Sequence, residues 1–327
     1  MAGPASADTA LSCATARRAT AAVDTAGRAT AAAATLLAEH GLVVDRTVVL
    51  RAVASVLLRP EPLPLVVRAA VSGAGDLRPS GLARAAREAA VLRHLTAAGA
   101  PSVPASRLLP PGPFVRDAVP LVVMERLAHD PLRRASGEQL GESLRAVHAA
   151  LGSYAGPLPL LPHLAETQGW LARAAVVRAA PADLRGRMSA ILTRAQARVE
   201  QGRARAVPVH GDAHSGNALR TPDGPRWIDL EDACLGPVEW DLACLVSTAR
   251  VFGGDPSMAA GALAAYGEHD PALLAVLVDA RAVMVAAWTW LLADADPRRV
   301  RVAGRRTAEL AGHLAGHLPG HLPGHLA

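Results

Sequence analysis

The sequence contains no lysine, so all 34 of its Lys and Arg positions are arginines. Isoleucine is nearly absent, phenylalanine and tyrosine occur twice each, and the only asparagine is Asn217. A bias against several unrelated residue types is typical of a genome-wide codon preference and is not a demand of a fold. Positions that depart from the bias are therefore informative, and Asn217 is the clearest of them.

The chain also lacks concentrated charge. Its 34 basic and 29 acidic residues give a net charge of +5, without a run of five or more like charges. A nucleic-acid-binding surface needs basic residues gathered on one face, with exposed aromatic side chains where single strands are bound. We therefore expect no nucleic-acid partner.

Cysteines and long apolar segments are scarce. Cys13, Cys234 and Cys244 have no metal-ligand spacing and cannot all pair, which predicts a reducing compartment. A secretory signal has an apolar core behind a basic start, and the N-terminus of this chain does not show that pattern. The longest uninterrupted apolar run, residues 282–293, is too short to cross a bilayer and predicts a buried helix. We expect a cytoplasmic protein without a membrane partner.

The first half of the chain predicts a small lobe rich in strands. An Ala-rich helix should end at Gly41, and two or three short antiparallel strands should follow from Thr47. Ser80 can cap a helix over residues 82–98, which Gly99 would close. Residues 119–127 read as one further buried strand.

Beyond Leu127 the pattern is almost entirely helical. Ser136 and Gln139 form a capping box at the start of one helix. Residues 217–230 interrupt the pattern as a hairpin of two short strands. These patterns predict an α+β enzyme of two lobes, with a cleft between the lobes where a ligand would bind.

The predicted domain boundaries follow these changes in composition. They are a loose tail (1–28), an N-lobe that holds the nucleotide phosphates (29–125), a C-lobe with the catalytic loop, the metal site and the acceptor pocket (126–310), and a low-complexity tail (311–327). The last tail repeats Gly-His-Leu, and its glycines and prolines oppose a helix. Weak metal binding by its evenly spaced histidines is the alternative.

Three oxygen-bearing side chains supply the set of groups that phosphoryl transfer requires. That reaction needs a carboxylate to orient and deprotonate a hydroxyl, and further oxygen ligands to hold Mg²⁺ on the phosphates of ATP. Asp212 would be the base, Asn217 a neutral metal ligand, and Asp229 a charged one. The hairpin would bring Asn217 and Asp229 together. A turn would accept Asp, Ser or Gly, so turn chemistry does not explain the single asparagine.

Five segments resemble the aminoglycoside phosphotransferase family, whose members are related to choline kinases and, more distantly, to protein kinases. They are HGDAHSGN (210–217), IDLEDACLGPVEWDLA (228–243), LVVRAAV (65–71), AREAAVLRHL (86–95) and PLVVMERL (120–127). The first two are highly specific together, and the other three gain weight from their order. The resemblance implies a protein kinase-like two-lobed fold with a small β-rich N-lobe and a larger, mainly helical C-lobe.

The resemblance also implies an activity, with ATP and Mg²⁺ as cofactors and a hydroxyl of a small molecule as acceptor. Asp212 would be the catalytic base, and Asn217 and Asp229 the Mg²⁺ ligands. His210 and Asp241 would support the catalytic loop. Glu231 would reach the metal through water or face the substrate.

In the N-lobe the resemblance assigns residues to the nucleotide. Arg68 stands where kinases have a lysine for the phosphates, and Glu88 would be its partner, because it lies on the apolar stripe of its helix. Ser55 is the candidate small polar residue over the phosphates. Glu125 and Leu127, in the connector after Met124, would offer backbone groups to adenine.

Structural interpretations remain open for several of these residues. Arg68 and Glu88 can form a purely structural ion pair. His148 is expected to be a hydrogen-bonded core histidine, and His214 either contacts phosphate or caps its loop. Trp288 and Trp290 are expected in the core or the pocket wall.

The acceptor and the activity itself also have alternatives. An aminoglycoside site should be lined with carboxylates, for which Glu231, Asp232, Glu239, Glu268 and Asp270 are candidates. A sugar, an amino alcohol or another natural-product hydroxyl is an equal alternative. The functional alternative to an enzyme is a catalytically inactive, kinase-like nucleotide-binding module.

Overall fold

The computed structural model describes residues 24–53, 55–70 and 81–316. Its contacts divide the chain into two compact units. Of the described residues, those up to Thr96 and Val103–Leu127 form the N-terminal unit, and Ala97–Ser102 and those from Ala128 onward form the C-terminal unit.

The N-terminal unit begins with helix α1, which covers residues 24–39 of the described chain. It ends as predicted at Gly41, which has φ of +69°. The N–H of Leu42 donates to the carbonyl of Leu37, and the N–H of Gly41 donates to that of Ala38, which is the Schellman arrangement. Residues 24–28 are helical, although the sequence placed them in the loose tail. The rest of that tail lies outside the described residues.

A five-stranded antiparallel sheet follows α1. Its strands are β1 (Arg46–Ala52), β2 (Val56–Glu61), β3 (Leu65–Ala69), β4 (Phe114–Arg116) and β5 (Val119–Glu125), in the order β1-β2-β3-β5-β4. The two or three strands predicted from Thr47 are three in the structure, and the strand predicted from Val119 is confirmed, whereas β4 was missed.

The core of this unit lies between α1 and the sheet. The apolar stripe of α1, which includes Ala29, Ala33 and Leu36, packs with inward-facing residues such as Leu58 and Val67. These side chains are at most 1% exposed, and burial of apolar surface of this kind is the main favourable term in folding. Helix α2 (Gly81–Ala97) follows β3, and Gly99 lies just beyond it with φ of +64°. The predicted cap, Ser80, lies outside the described residues.

The C-terminal unit is mainly helical, so the α+β class is confirmed. Its helices are α3 (Gly137–Leu151), α4 (His163–Trp170), α5 (Ala174–Ala179), α6 (Ala182–Gln201), α7 (Val238–Val251), α8 (Pro256–Tyr266), α9 (Pro271–Ala295) and α10 (Val300–Ala315). Two strand pairs interrupt them: β6 (Val207–Val209) with β9 (Cys234–Gly236), and the predicted hairpin β7 (Ala218–Thr221) with β8 (Gly224–Trp227). The pair β6-β9 was not predicted.

Helix α3 begins with the capping box predicted from the sequence. The Gln139 N–H donates to the Ser136 hydroxyl, and the Ser136 N–H donates to the Gln139 side-chain oxygen. Two N–H groups at the start of the helix are thereby satisfied, which fixes where the helix starts.

Helix α9 is the one helix of the described chain that is long and apolar enough to cross a membrane. However, 61% of its apolar window is buried inside the protein, and α6, α7 and α10 pack against it. It is therefore a core helix, as the sequence predicted.

Helix α10 corrects the predicted boundary of the C-terminal tail, because residues 311–315 belong to it. The first repeat histidine, His313, has its Nε2 2.8 Å from Oδ1 of Asp279 in α9. This contact between helices offsets the low helix propensity of the Gly residues nearby. Residues 317–327, with the remaining repeat histidines, lie outside the described chain.

Candidate active site

Residues 210–217, called the catalytic loop after their predicted role, follow β6 directly. The loop backbone turns at Gly211, where φ is +88° and a Cβ would collide with the carbonyl oxygen of Asp232. Only glycine fits this position without strain. The Gly211 carbonyl accepts a hydrogen bond from Trp240 Nε1 at 2.7 Å, so the turn is held by a fully buried side chain of α7.

Asp241, in the first turn of α7, anchors the loop from beneath. Its carboxylate accepts the N–H groups of His210 and Gly211 at 2.7 and 2.8 Å, and also His148 Nε2 at 2.8 Å. Burial alone would raise the pKa of Asp241, but the hydrogen bond from His148 and those from the loop outweigh it and lower the pKa. Asp241 thus occupies the supporting position that the sequence predicted.

His210 connects the loop to the hairpin. Its Nε2 donates to the Ile228 carbonyl at 2.9 Å, and its Nδ1 accepts the Asp212 N–H at 3.3 Å. The two bonds require one tautomer, with the proton on Nε2. His210 is completely buried, and its ring meets Trp227 edge-on. It therefore supports the loop and presents no ring nitrogen for proton transfer to a substrate.

Asp212 and Asn217 are in direct contact. The Asn217 amide Nδ2 donates to Oδ2 of Asp212 at 3.2 Å and to its backbone carbonyl at 3.0 Å. Because both donors of the amide point at Asp212, Oδ1 is the Asn217 atom available for a cation. An aspartate at this position could not donate to Asp212 and would repel it.

The β7-β8 hairpin joins the chain before Asp229 to Asn217 of the catalytic loop. The N–H of Ile228 donates to the Asn217 carbonyl at 2.9 Å, so Asp229 follows directly on a residue that is bonded to Asn217. Asp229 itself has φ of +69° and ψ of 53°, a left-handed conformation that costs free energy in a non-glycine residue. Strained backbone of this kind is concentrated at functional sites.

His214 has the capping role that the sequence left open. Its Nδ1 accepts the Gly216 N–H at 3.0 Å, while Nε2 lies 3.6 Å from Asp212 Oδ2. Desolvation by the surrounding protein lowers the pKa of His214, and the nearby Asp212 opposes this only in part. The side chain is still 40% exposed, so solvent weakens both effects.

Arg281 is the residue of this site that sequence reasoning missed. It lies on α9, is 6% exposed, and donates from Nη2 to Oδ1 of Asp212 at 2.5 Å. Burial disfavours its charge, but the acidic groups beside it, among them Cys244 and Asp212, raise its pKa. The available signal was a charge inside an apolar helix, which requires a partner.

In the N-terminal unit, Arg68 and Glu88 form the expected pair. Arg68 Nε lies 3.2 Å from Glu88 Oε1, and the two side chains are only 4% and 2% exposed. Arg68 lies on β3, opposite Leu57 of β2 and Val122 of β5. A charge at this depth is tolerated because the opposite charge comes with it.

Ser55 lies in the same unit, at the turn between β1 and β2. It is 3% exposed, and among the described residues its hydroxyl has no hydrogen-bond partner. An unsatisfied buried hydroxyl costs free energy in the absence of a ligand. Its placement is therefore compatible with the phosphate contact predicted for it.

The connector after Met124 offers fewer backbone groups than expected. The Glu125 N–H donates to the Pro104 carbonyl, and the Arg126 N–H donates to the Pro64 carbonyl, both at 3.0 Å. The N–H groups of Glu125 and Arg126 are therefore not available to a nucleotide base.

Two of the five carboxylates proposed for a cationic acceptor have structural tasks. Glu239 accepts the Asp270 N–H at 2.7 Å, and Asp270 caps the first turn of α9. Asp232 is 4% exposed. Glu231 has intermediate exposure and Glu268 is exposed. Glu239 and Asp270 are thus already engaged at the start of α9, which weakens their candidacy for the predicted acidic lining.

The tryptophans fit the structural interpretation. Trp288 stacks at a tilt on the buried Trp170, with ring centroids 5.2 Å apart. Trp290 Nε1 donates to the Thr307 hydroxyl of α10 at 2.8 Å. Both therefore hold α9 against its neighbours.

The donor set of the loop and hairpin fits Mg²⁺. No group of three or more His, Cys, Asp or Glu side chains in the described chain is arranged to hold a metal ion by itself. Mg²⁺ is commonly held by one or two protein oxygen ligands, completed by phosphate oxygens and water. Asn217 Oδ1 and the Asp229 carboxylate would be those ligands.

Solved structures of three other proteins resemble this chain. A choline/ethanolamine kinase family protein from Mesorhizobium loti is 20% identical, with a TM-score of 0.56 over 84% of this chain and 90% of that one. The GDP and kanamycin complex of APH(2")-IIia is 15% identical, with a TM-score of 0.61 over 87% and 99%. The amicoumacin kinase hAmiN, in complex with AMP-PNP, Ca²⁺ and Ami, is 14% identical, with a TM-score of 0.55 over 84% and 93%.

At such low identity these likenesses show the fold, which is kinase-like as predicted. Membership of a family has separate support from the sequence. The family model described as "APH: Phosphotransferase enzyme family" matches residues 76–277, which is more than half of the chain. The chain therefore belongs to the APH phosphotransferase enzyme family.

Proposed function

We propose that this protein transfers the γ-phosphoryl group of ATP, with Mg²⁺, to a hydroxyl of a small molecule. The observation that carries the proposal is the contact between Asp212 and Asn217, with Asn217 bonded to the residue that precedes Asp229. A base beside two oxygen ligands is the arrangement that phosphoryl transfer needs.

The residues of the loop have distinct parts in the reaction. Asp212 orients the acceptor hydroxyl and takes up its proton, while the new bond from that oxygen to phosphorus forms and the bond from the γ-phosphorus to ADP breaks. Mg²⁺ on Asn217 and Asp229 would neutralise charge on the phosphates. Asp241 and His210 hold the loop in place, so that catalysis comes mainly from positioning.

The N-terminal unit supplies the candidates for nucleotide binding. The guanidinium of Arg68 keeps its charge at any relevant pH and can bind Glu88 and a phosphate oxygen at once. Ser55 offers a buried hydroxyl, and the connector at Glu125 and Leu127 is the candidate contact for adenine, without the Glu125 N–H, which is bonded to Pro104. The complexes of similar proteins with GDP and with AMP-PNP and Ca²⁺ support a nucleotide and a divalent cation as ligands.

The acceptor is proposed as a hydroxyl on an aminoglycoside-like antibiotic, a sugar or an amino alcohol, met in the cytoplasm. One similar structure contains kanamycin and another contains Ami, which supports a small-molecule acceptor. Since Glu239 and Asp270 are engaged at the start of α9, we favour acceptors with few positive charges.

An ATP-consumption screen against aminoglycosides, sugars, choline-like alcohols and macrolides tests the proposal. We expect turnover with at least one acceptor, and a loss of kcat on the order of 10²–10⁴-fold in Asp212→Ala. Asp229→Ala should likewise abolish turnover. Near-normal turnover in either variant would refute the assignment of the site.

A matched pair of variants tests the metal ligand. Asn217→Asp should retain more activity than Asn217→Ala, because a carboxylate still ligates Mg²⁺. Nucleotide binding without turnover of any acceptor, unaffected by Asp212→Asn, would instead indicate an inactive nucleotide-binding module.

A further inference from the structure

Arg281 is a buried charge for which the motifs of the sequence provide no role. It lies in the middle of the apolar helix α9, with Nη1 3.4 Å from the Met284 sulfur. Among the described residues, its Nε has no hydrogen-bond partner. Burying a guanidinium with incomplete hydrogen bonding costs free energy that an apolar residue would not. The interaction that an arginine provides at this position is the hydrogen bond to Asp212.

That contact constrains the Asp212 carboxylate from one side. Arg281 Nη2 holds Oδ1, while Oδ2 lies 3.2 Å from Asn217 Nδ2. A carboxylate that accepts hydrogen bonds at both oxygens has little freedom to rotate. Arg281 is carried by helix α9, which packs against α6, α7 and α10, so its position is set by the fold before a substrate binds.

We propose that Arg281 is a positioning residue of the phosphotransfer site, which fixes Oδ1 of Asp212 so that Oδ2 is directed at the acceptor hydroxyl. The inference rests on the proposed function, because it takes Asp212 as the base. Arg281 acts through Asp212 and does not itself contact the reacting atoms. Its loss should therefore affect the rate of transfer more than the binding of nucleotide.

The first test measures the contact without using activity. Thermal unfolding is compared for the full chain, Asp212→Asn, Arg281→Met and the double variant. Asp212→Asn leaves a buried guanidinium without its counter-charge, so it should lower the melting temperature strongly in the parent and much less in Arg281→Met. Additive shifts would show that Arg281 does not hold Asp212 and would overturn the proposal.

The second test measures transfer with the acceptor found in the screen. Arg281→Met should lower kcat on the order of 10–100-fold, with the nucleotide KM nearly unchanged. Arg281→Lys should be intermediate, because an ammonium lacks the planar fork. Added guanidinium should partly restore kcat in Arg281→Ala but not in Asp212→Asn.

Arg194→Met is the matched control. Arg194 reaches α9 through Asp279 at 3.4 Å, is 57% exposed and has no part in the site, so the variant should keep parental kcat. Parental kcat in Arg281→Met, or an equal loss in the control, would overturn the proposal. If the parent phosphorylated no acceptor, the proposed function would fail, and the thermal comparison alone would decide whether Arg281 holds Asp212.

Discussion

His148 and Asp241 lie 2.8 Å apart, from Nε2 to Oδ2, and join helix α3 to helix α7 beneath the catalytic loop. On its other side, His148 Nδ1 is 2.9 Å from the Tyr266 hydroxyl at the end of α8. Since Asp241 also accepts two N–H groups of the loop, three helices are connected to the position of Asp212. The core histidine expected from the sequence is therefore one link in the support of the loop.

We predict that His148→Ala lowers the free energy of unfolding by about 1–3 kcal/mol, because it removes one donor from a buried carboxylate. Tyr266→Phe should cost about 1 kcal/mol in the parent and nearly nothing in His148→Ala. Urea unfolding of the four proteins measures both effects. Equal costs of Tyr266→Phe in the two backgrounds would show that the hydroxyl acts elsewhere.

The lowered pKa of Asp241 predicts a dependence of stability on pH. A carboxyl group with a lower pKa in the folded state stabilises the fold above its unfolded pKa, near 3.8, and this contribution is lost as the pH falls through the folded pKa. The free energy of unfolding should therefore fall more steeply in acid for the parent than for Asp241→Asn. Identical acid slopes in urea titrations from neutral pH downward would contradict the assignment.

Helices α3 and α8 pack at the closest distance that glycine allows. A Cβ at Gly141 would collide with the carbonyl oxygen of Ala262, and one at Gly137 with that of Met258. We predict that Gly141→Ala destabilises the protein by about 1–3 kcal/mol or more, because backbone atoms have to move apart. Thermal unfolding measures the change.

Gly186→Ala is the matched control for this substitution. Gly186 is exposed within α6, and the structure places nothing described within 4 Å of its Cβ position. The same substitution should here stabilise by about 0.5–1 kcal/mol, since glycine is a poor helix former. Similar shifts at the two positions would mean that the packing of α3 on α8 is not close.

Much of this architecture follows from local sequence. Gly41 and the capping box at Ser136 mark helix ends because their chemistry acts within a few residues. The β7-β8 hairpin was predictable for the same reason. Arg68 and Glu88 were paired from the family resemblance together with the apolar pattern, because each charge lies on an otherwise apolar face and needs the other.

What the sequence did not reveal depends on distant pairing. Strands β6 and β9 have three residues each, too few for a periodic pattern, and become strands by pairing with each other. Arg281 was visible as a charge in an apolar helix, but its partner Asp212 is far away along the chain. Residues 311–315 are helical although their glycine opposes it, and His313 and the buried Leu314 there make tertiary contacts that local sequence does not reveal.

Ser55 allows a test of nucleotide binding by the N-terminal unit, because its burial and its proposed role predict opposite effects of one substitution. As a buried hydroxyl without a partner among the described residues, it should cost stability, so Ser55→Ala should unfold at the same or a higher temperature. If the hydroxyl binds a phosphate oxygen, the same variant should raise the nucleotide KM several-fold, in line with about 1 kcal/mol for one hydrogen bond.

Ser102 is the matched control, since its hydroxyl is equally buried and equally without a partner in the described chain, but belongs to the C-terminal unit. Ser102→Ala should change thermal stability in the same direction and leave the nucleotide KM unaltered. A nucleotide KM unchanged in both variants would exclude Ser55 as a nucleotide contact. Arg68 and Glu88 would then remain as the side-chain candidates in the N-terminal unit. A KM raised in both would show that the effect arises from packing and not from a phosphate contact.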